Sequence, residues 1–425
     1  MRILVVGAGA REHALCWRLS RDPDVDQVLC APGNAGIARR FRTVAADSAD
    51  PEMILDIAER ERIDLTIVGP EAPLARGIAD LFGARGRPIF GPRRSAARLE
   101  TSKAFAKEFM RRHGVPTARY RVCGDADQAA AVIGRGELGA APVVKADGLA
   151  GGKGVIVTQS AGEAEEAVRA LMIDRTLGDA GRSVVLEERL EGPELSFFVV
   201  ADGEYAVPLV AAQDHKRIFD GDRGPNTGGM GAFAPSPLVD AALQDRILRE
   251  VVDPVLQGLI REGAPYRGVL YCGLMLTGQG PKVIEFNARF GDPEAQVILP
   301  MITEPLVPLL WSAASGGLRS ARVAVSSQPH VGVVLAAAGY PGDVRAGARI
   351  EGLERVSAEC PEVLVFHAGV HQEGAALVVG GGRVLTVVGA GPNFDAAIAR
   401  AYDAVSRLSF PGMQYRRDIG RKALL

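Results

Sequence analysis

The chain has 425 residues, 47% hydrophobic and 24% charged, which is the composition of a folded protein rather than a disordered one. From the length we expect about two to four domains. The 49 basic and 51 acidic residues leave a net charge of −2, so we expect neither nucleic acid nor a membrane as a partner. Five scattered cysteines without a CxxC pair, and an N-terminus without a basic segment and long apolar stretch, predict a cytoplasmic protein.

Residues 1–101 alternate short β-branched runs with segments of helical period. The runs are ILVVG, VDQVLCAPG, DLTIVGPE and PIFGP, and each ends at Gly or Pro-Gly. This alternation predicts a parallel sheet with crossover helices, in which ligands lie beyond the carboxyl ends of the strands. The four turns are therefore expected to line one crevice.

The first turn, GAGAREHA, is similar to the dinucleotide fingerprint GxGxxG, but Glu12 occupies the third glycine position. That glycine normally allows the helix to pack closely on the strand. The pattern therefore disfavours NAD. It leaves open a helix N-terminus that binds a phosphate and a tight turn that binds nothing.

The segment 143–157, VVKADGLAGGKGVIV, has Lys145 and Lys153 on either side of a glycine-rich loop, with a strand at each end. This pattern predicts a β-hairpin and not a Walker A loop, whose GxxxxGK[ST] motif opens a helix. Glycines let backbone amides approach phosphate oxygens, and the lysines add charge. We therefore predict a phosphate-binding hairpin on a hinged segment, 120–190, that closes as a lid.

Two polar segments follow the hairpin. Residues 184–196, VVLEERLEGPELS, run from a strand into an acidic turn, which suits an adenosine site but is also common on solvated surfaces. Residues 213–235, QDHKRIFDGDRGPNTGGMGAFAP, form a long loop whose apolar residues argue against disorder. Asp214 and His215 in this loop are the candidates for a general base.

Residues 282–294, KVIEFNARFGDPE, contain a strand with alternating character. A period of two puts Glu285 and Asn287 on the same face, and Arg289 continues that face. Two oxygen donors beside a phosphate site suit Mg²⁺, which takes few protein ligands and several phosphate or water oxygens. The guanidinium is expected to hold a phosphoryl group or a carboxylate.

Helices are predicted at 238–262 and 294–318, and a domain boundary is predicted near residue 325. The remaining residues, 326–425, have the pattern of a compact α+β domain with several strands and a final helix. The predicted organisation is therefore an N-terminal domain at 1–101, a central domain at 102–325 and a C-terminal domain.

The order of these features, from the lysine–glycine hairpin to the Glu-x-Asn strand, resembles the ATP-grasp fold. Further strings, found in family order between residues 5 and 420, resemble glycinamide ribonucleotide synthetase: GAREHA, APGNAG, IVGPEAPL, SKAF, QDHKR, GPNTGGMGA, VIEFNARFGDPE, GYPG, VFHAG and RRDIG. One departure is Ala10, where the family usually has a glycine, and this weakens the inference for the phosphoribosylamine end.

The resemblance implies an α/β and α+β fold with an N-terminal parallel-sheet (pre-ATP-grasp) domain, an ATP-grasp domain with a mobile lid, and a C-terminal α+β domain. It implies that ATP, glycine and 5-phosphoribosylamine give glycinamide ribonucleotide, ADP and phosphate through a glycyl phosphate. We expect a monomer and leave a dimer open.

The resemblance also implies roles for individual residues. The ATP-binding residues would be Lys103, Lys145, Gly151, Gly152, Lys153, Gly154, Glu187, Leu190 and Glu194. The metal, Mg²⁺ or Mn²⁺, would be held by Glu285 and Asn287. The substrate-binding residues would be Gly9, Arg11, Glu12, Gly33, Asn34, Glu71, Asn226, Arg289 and Asp292. The catalytic residues would be Arg289, Lys145 and Asp214.

Three alternatives remain at this point. Another ATP-grasp ligase, acting on a different purine intermediate or carboxylating biotin, would share the nucleotide half of the pattern. A non-catalytic nucleotide-binding regulator would be favoured by the loss of Lys145, Glu285 or Asn287, but all three are present. An NAD-linked oxidoreductase is disfavoured by Glu12.

Overall fold

The computed structural model describes residues 1–319 and 322–425. The predicted boundary near 325 lies just beyond residues 320 and 321, which are outside the described part of the chain. The structure has a parallel α/β region followed by mixed sheets, as predicted. Within the described residues, no helix is both long and apolar enough to cross a bilayer. All five cysteines are free and buried.

The N-terminal region is a parallel sheet of five strands in the order β3-β2-β1-β4-β5. Its strands are β1 (Arg2–Gly7), β2 (Gln27–Pro32), β3 (Arg42–Thr43), β4 (Leu65–Val68) and β5 (Ile89–Phe90). Its helices are α1 (Ala10–Leu19), α2 (Ala35–Ala38), α3 (Pro51–Arg60), α4 (Glu71–Ala75), α5 (Ile78–Ala84) and α6 (Arg94–Thr101). The central strands are buried on both faces, which explains their continuous apolar runs.

The second region is a small antiparallel sheet with three associated helices. Its elements are α7 (Lys103–His113), β6 (Tyr120–Cys123), α8 (Ala126–Gly134), β7 (Val143–Ala146), β8 (Val155–Val157), α9 (Ala161–Val168) and β9 (Val184–Glu187), and the strand order is β6-β9-β7-β8. The predicted hairpin is confirmed, because β7 and β8 pair antiparallel with Lys145 opposite Val155. This sheet has a hydrophobic core of its own, formed with α8 and α9.

The third region is an antiparallel sheet in the order β11-β10-β16-β17. Its strands are β10 (Glu194–Asp202), β11 (Ala206–Pro208), β16 (Arg267–Thr277) and β17 (Gly280–Asn287). Four short strands lie between β11 and β16: β12 (Gln213–Asp214), β13 (Arg217–Phe219), β14 (Arg223–Asn226) and β15 (Gly231–Ala234). The predicted irregular loop is therefore partly a hairpin, since β13 pairs with β14.

Helices α10 (Ala241–Ile247) and α11 (Asp253–Arg261) are joined by a π-helical turn at Leu248–Val252, so the helix predicted at 238–262 is nearly continuous. The single helix predicted at 294–318 is wrong. It is split into α12 (Glu294–Ile298), a 3-10 turn at Leu299–Met301 and α13 (Val307–Ser315). The break coincides with Pro300 and Pro305, which lack the amide hydrogen that a helix interior needs.

The C-terminal elements are β18 (His330–Ala336), α14 (Leu353–Glu359), β19 (Leu364–His367), β20 (Val370–Glu373), β21 (Ala376–Val379), β22 (Arg383–Ala390) and α15 (Phe394–Val405). The sheet order β12-β15-β18-β22-β19 reaches outside the predicted C-terminal domain, because two of its strands come from the loop at 213–235. The C-terminal sheet is thus continuous with the segment that carries Asp214, and this continuity brings C-terminal side chains to the site.

Candidate active site

A cleft of about 1020 Å³ lies where these regions meet. It is lined by the glycine hairpin, the acidic turn after β9, strand β17, the loop at 213–228 and the crevice of the N-terminal sheet. Arg383 and Lys422 add two cations from the C-terminal region. The cleft therefore joins the predicted nucleotide and substrate ends in one continuous space.

The lid side of the cleft contains a buried cluster of charges. Nζ of Lys145 lies 2.9 Å from Oε1 of Glu187 and donates to the backbone oxygen of Ile284 at 2.9 Å. The other carboxylate oxygen of Glu187 accepts from Lys107 at 2.8 Å. The carboxylate of Glu187 is thus placed between two lysines.

Helix α7 is fixed to the lid at its N-terminus. Oδ1 of Asp147 accepts from the hydroxyl of Ser102 at 2.9 Å and from the amide of Ala104 at 2.8 Å. A carboxylate is favourable at this position because it satisfies free amides and opposes the positive end of the helix dipole. The same anchor positions Lys103, the first residue of α7, on the cleft wall.

The predicted metal pair lies on β17, and both side chains line the cleft. Burial alone raises the pKa of Glu285, but Lys216, Lys103 and Lys145 outweigh it and lower this pKa to about 2. The carboxylate is therefore ionised at neutral pH. Gly273 lies directly opposite on β16, and a Cβ there would be 3.2 Å from Cγ of Glu285, so a larger residue would press on the carboxylate.

The nucleotide end contains a second acid–lysine pair. Nζ of Lys216 lies 3.0 Å from Oε2 of Glu194, which is half-exposed. Burial raises the pKa of Asp214 to about 7, helped by Glu294 and opposed by Lys216. A carboxyl group with a pKa close to neutral can accept and release a proton during the reaction.

Arg289 is the central cation of the substrate end. Its guanidinium contacts Oε2 of Glu71 at 3.3 Å and Oε1 of Glu100 at 3.1 Å. These two carboxylates raise its pKa above the ordinary value, although burial opposes them. The second oxygen of Glu100 accepts from the amide of Ala288 at 2.7 Å, so the guanidinium is held at a fixed place on the strand end.

The N-terminal crevice meets the cleft at Arg11 and Asp292. Nε of Arg11 contacts Oε1 of Glu12 at 2.6 Å, and the other carboxylate oxygen accepts from the amide of Gly9 at 2.6 Å. Glu12 is 1% exposed and is packed against Gly69, where a Cβ would be only 2.0 Å from its oxygen. Its carboxylate therefore caps helix α1 and orients Arg11 and does not face the cleft.

Most of the predicted site residues lie together around the cleft. The residues that line it are Arg11, Glu71, Lys103, Lys145, Gly151, Gly152, Gly154, Glu187, Leu190, Glu194, Asp214, Asn226, Glu285, Asn287, Arg289 and Asp292. The predicted residues outside this lining are Gly9, Glu12, Gly33, Asn34 and Lys153. The site is therefore formed mainly by the side chains that the sequence indicates.

Lys153, which was predicted to bind ATP, is exposed on the glycine loop, where its amide donates to the backbone oxygen of Ala150 at 3.0 Å. The other residues outside the lining have identifiable structural roles. The side chain of Asn34 caps α2 by accepting from the amides of Gly36 and Ile37, and it also donates to the backbone oxygen of His367 at 2.9 Å. Gly33 has a φ of 70°, which favours glycine. The ring of His215 is buried and packs near Phe233, away from the cleft, so of the two candidate bases only Asp214 faces it.

Several residues of the site had no role assigned from the sequence. Lys107 follows Lys103 by four positions, and this spacing on a helix could have indicated a shared face. Arg383 contacts Oδ2 of Asp292 at 3.0 Å and donates to the backbone oxygen of Gly228. No local pattern connects Arg383 with the two loops that it joins.

The fold and this site define an ATP-grasp enzyme, a ligase that uses ATP to activate a carboxylate, here with a hairpin that carries Lys145 and a glycine loop on one side of the cleft and a Glu-x-Asn strand on the other. A family comparison makes the assignment specific. The chain belongs to the phosphoribosylglycinamide synthetase family, whose N domain, ATP-grasp (A) domain and C domain match residues 1–100, 101–295 and 330–422. It is therefore a carbon–nitrogen ligase, and the predicted resemblance is confirmed.

Individual relatives agree with this assignment. The chain is 48% identical to a phosphoribosylamine–glycine ligase of Ralstonia nicotianae, covering all of both chains. The crystal structure of a phosphoribosylamine–glycine ligase from Thermotoga maritima is 35% identical, with a TM-score of 0.87, over 98% of this chain and all of the other. A biotin carboxylase domain from Hydrogenobacter thermophilus has a TM-score of 0.72 at 19% identity, covering 97% of this chain and 91% of its own, and this likeness concerns the fold alone.

Proposed function

We propose that the chain ligates glycine to 5-phosphoribosylamine at the expense of ATP, giving glycinamide ribonucleotide, ADP and phosphate. The observation that carries this proposal is the continuous cleft from the lysine–glycine lid, past Glu285 and Asn287, to Arg289 and the N-terminal crevice. We further propose that the protein works in the cytoplasm as a monomer, with a dimer left open.

ATP would lie between the lid and β17. Lys145 and Lys103 would contact its phosphates, and the amides of Gly151, Gly152 and Gly154 would close over them. The backbone near Leu190 would pair with the adenine edge, and Glu194 would accept from the ribose hydroxyls. The backbone at Gly152 has a φ of 80°, and a Cβ there would be 3.3 Å from the backbone oxygen of Thr227. A glycine therefore lets the loop lie close to the opposite wall of the cleft.

Mg²⁺ would be held by Glu285 and Asn287, and Mn²⁺ would fit the same donors. The donor set fits such an ion, because an ionised carboxylate and an amide oxygen stand on one face of β17 beside the proposed phosphate site. When bound, the ion would neutralise charge on the phosphate oxygens during transfer.

Arg289 would hold the glycine carboxylate next to the terminal phosphate. Transfer of the phosphoryl group to a carboxylate oxygen releases ADP and leaves glycyl phosphate, whose phosphate is a good leaving group. The amine nitrogen of phosphoribosylamine then attacks the carbonyl carbon, the carbon–oxygen bond to phosphate breaks, and the nitrogen loses a proton. Asp214 is the candidate acceptor of that proton, because it lines the cleft and its pKa is close to neutral.

Phosphoribosylamine would enter from the N-terminal crevice. Arg11, Glu71, Asp292 and Asn226 line that end of the cleft. Gly9 lies beside them, since a Cβ there would be 3.6 Å from Oδ2 of Asp292, and a small residue keeps this approach open. Gly33, Asn34 and Glu12 would support the shape of the crevice without contacting the substrate, because their contacts are within the protein.

The test is release of phosphate from ATP by the purified chain. We expect release only when glycine, Mg²⁺ and freshly prepared phosphoribosylamine are present together, with glycinamide ribonucleotide formed in equal amount. Release that depends on another carboxylate would indicate a different ATP-grasp ligase. ATP binding without turnover under every combination would indicate a nucleotide-binding regulator, and either result would overturn the proposal.

A further inference from the structure

Lys107 is a buried cation that no step of the proposed reaction uses. It lies on α7 with 2% of its side chain exposed, and it is not among the residues that line the cleft. Its Nζ is 2.8 Å from Oε2 of Glu187 and donates to the hydroxyl of Thr117 at 2.7 Å. A buried ammonium is costly unless it is paired, so this arrangement calls for a reason.

The reason lies in the sharing of one carboxylate by two lysines. Lys145 contacts the other oxygen of Glu187 at 2.9 Å, and the three side chains are all at least nine-tenths buried. With both lysines protonated the cluster has a net charge of +1. One lysine can therefore leave the carboxylate without leaving an unpaired negative charge behind.

The two lysines differ in their access to the cleft. Lys145 lines the cleft and donates to the backbone oxygen of Ile284, whereas Lys107 is outside the cleft lining and donates to the hydroxyl of Thr117. The hydroxyl of Thr117 donates to the backbone oxygen of Val283 at 2.7 Å, and the amide of Val283 donates to Pro116 at 2.8 Å. Lys107 is thereby tied to strand β17, beside the metal pair.

We propose that Lys107 is a positioning residue that neutralises Glu187 permanently, so that Lys145 can turn its ammonium to an ATP phosphate. This inference rests on the proposed function, because it assumes that Lys145 binds ATP. Without Lys107, a movement of Lys145 toward the phosphate would leave the buried carboxylate of Glu187 without a positive partner. Lys145 would then remain paired with Glu187, and ATP would bind weakly.

The experiment is a double-mutant cycle on nucleotide binding, measured by calorimetry with adenylyl imidodiphosphate and Mg²⁺. We expect Lys107→Met to raise the Kd about 10-fold or more, because it removes one partner of a buried ion pair. Adding Glu187→Gln removes the charge that traps Lys145, so the Lys107→Met/Glu187→Gln protein should bind within about threefold of Glu187→Gln alone. Lys107→Arg, which keeps the charge, should stay close to the wild type.

A purely structural role for Lys107 predicts a different result. In that case Lys107→Met would lower the melting temperature without changing the Kd of the folded protein, or its weakened binding would not be restored by Glu187→Gln. Either outcome overturns the proposal. Nucleotide binding needs neither glycine nor phosphoribosylamine, so a failure here with intact turnover by the wild type leaves the proposed function standing.

A second measurement serves if Lys107→Met does not fold. Burial lowers the pKa of Lys107 to about 8, against the opposing effect of Glu187 and with a further lowering by Lys145. The charge of Glu188 also acts on Lys107 and raises its pKa. The Kd of the wild type should therefore rise above pH 8 relative to that of Lys107→Arg, whose guanidinium stays charged. Parallel pH profiles for the two proteins would overturn the proposal.

Discussion

Replacement of Glu285 by glutamine removes a charge from the proposed metal site and changes the shape of the side chain little. The cations Lys216, Lys103 and Lys145 surround this carboxylate and lower its pKa from 4.5 to about 2. That difference corresponds to about 3 kcal/mol of net stabilisation of the ionised form. A glutamine at this position would leave the cations without their central anion, and they would then repel a bound Mg²⁺.

The expected loss follows from this magnitude. If metal binding and phosphoryl transfer lose a comparable 3 to 4 kcal/mol, kcat/KM falls by roughly 10²- to 10³-fold. The assay is the release of phosphate at saturating glycine and phosphoribosylamine, with ATP and Mg²⁺ varied. Thermal unfolding of the same samples corrects for any loss of folded protein.

A matched control is Glu262→Gln, at the end of α11. This carboxylate also has a cationic neighbour, Arg112, at 2.8 Å, but it lies outside the cleft lining. We expect its kcat/KM to stay within about twofold of the wild type, as surface pairs contribute little. Full activity of Glu285→Gln, or an equal loss in the control, would refute the assignment of the metal site.

Three further predictions concern the lid, acid stability and the metal. Gly152→Ala should raise the KM for ATP about 10-fold, and Gly151→Ala only about threefold. Both glycines have a positive φ, but only a Cβ at position 152 would lie 3.3 Å from the backbone oxygen of Thr227. Equal effects of the two substitutions on KM would contradict this contact of the lid. Burial lowers the pKa of His367 to about 4. Between pH 6.5 and 4 the histidine is therefore protonated in the unfolded chain but neutral in the folded chain. The stability that His367 contributes as a neutral side chain is complete above pH 6.5 and is lost as the pH falls toward 4. Between pH 6.5 and 4, the free energy of unfolding measured in urea should fall by about 1.4 kcal/mol per pH unit more for the wild type than for His367→Leu. Asp214, whose pKa is raised, gives the opposite trend, but it does so in both proteins and cancels in the comparison. Identical slopes for the two proteins would contradict the prediction. Chelation with EDTA should abolish phosphate release, with recovery on adding excess Mg²⁺ or Mn²⁺; release that continues in EDTA would count against a metal-bridged nucleotide.

The parts of the fold that depend on neighbouring residues were predictable from the sequence. The hairpin at 143–157 and the alternation of VIEFN follow from short-range periodicity, and the structure confirms both. The final helix predicted in the C-terminal domain is present as α15, and the side chain of Asn393 caps its start. Each of these signals acts within a few residues of the element it defines.

Pairings between distant segments could not be predicted in this way. Strand β15 joins β18 across about a hundred residues, with Gly231 opposite Val333, and no local pattern in the loop at 213–235 indicates that partner. The break between α12 and α13 was missed because the apolar residues on both sides continue a helical pattern, although Pro300 and Pro305 argue against it.

The candidate site shows the same division. Motif residues such as Glu285 and Arg289 could be identified because their chemistry is visible in the sequence. Whether an acidic side chain faces the cleft or caps a helix depends on contacts that only the fold defines. The carboxylate of Glu12, for example, accepts a hydrogen bond from the amide of Gly9 and caps α1. Lys107 was missed because its partner Glu187 is 80 positions away and only the fold brings them together.

A crystal structure of the chain with adenylyl imidodiphosphate and Mg²⁺ tests the central claim most directly. We predict that the ion is coordinated by Glu285, Asn287 and phosphate oxygens, with the Lys145 ammonium turned from Glu187 to a phosphate and the glycine loop closed above it. A triphosphate bound elsewhere, or an ion that does not contact Glu285, would contradict the account.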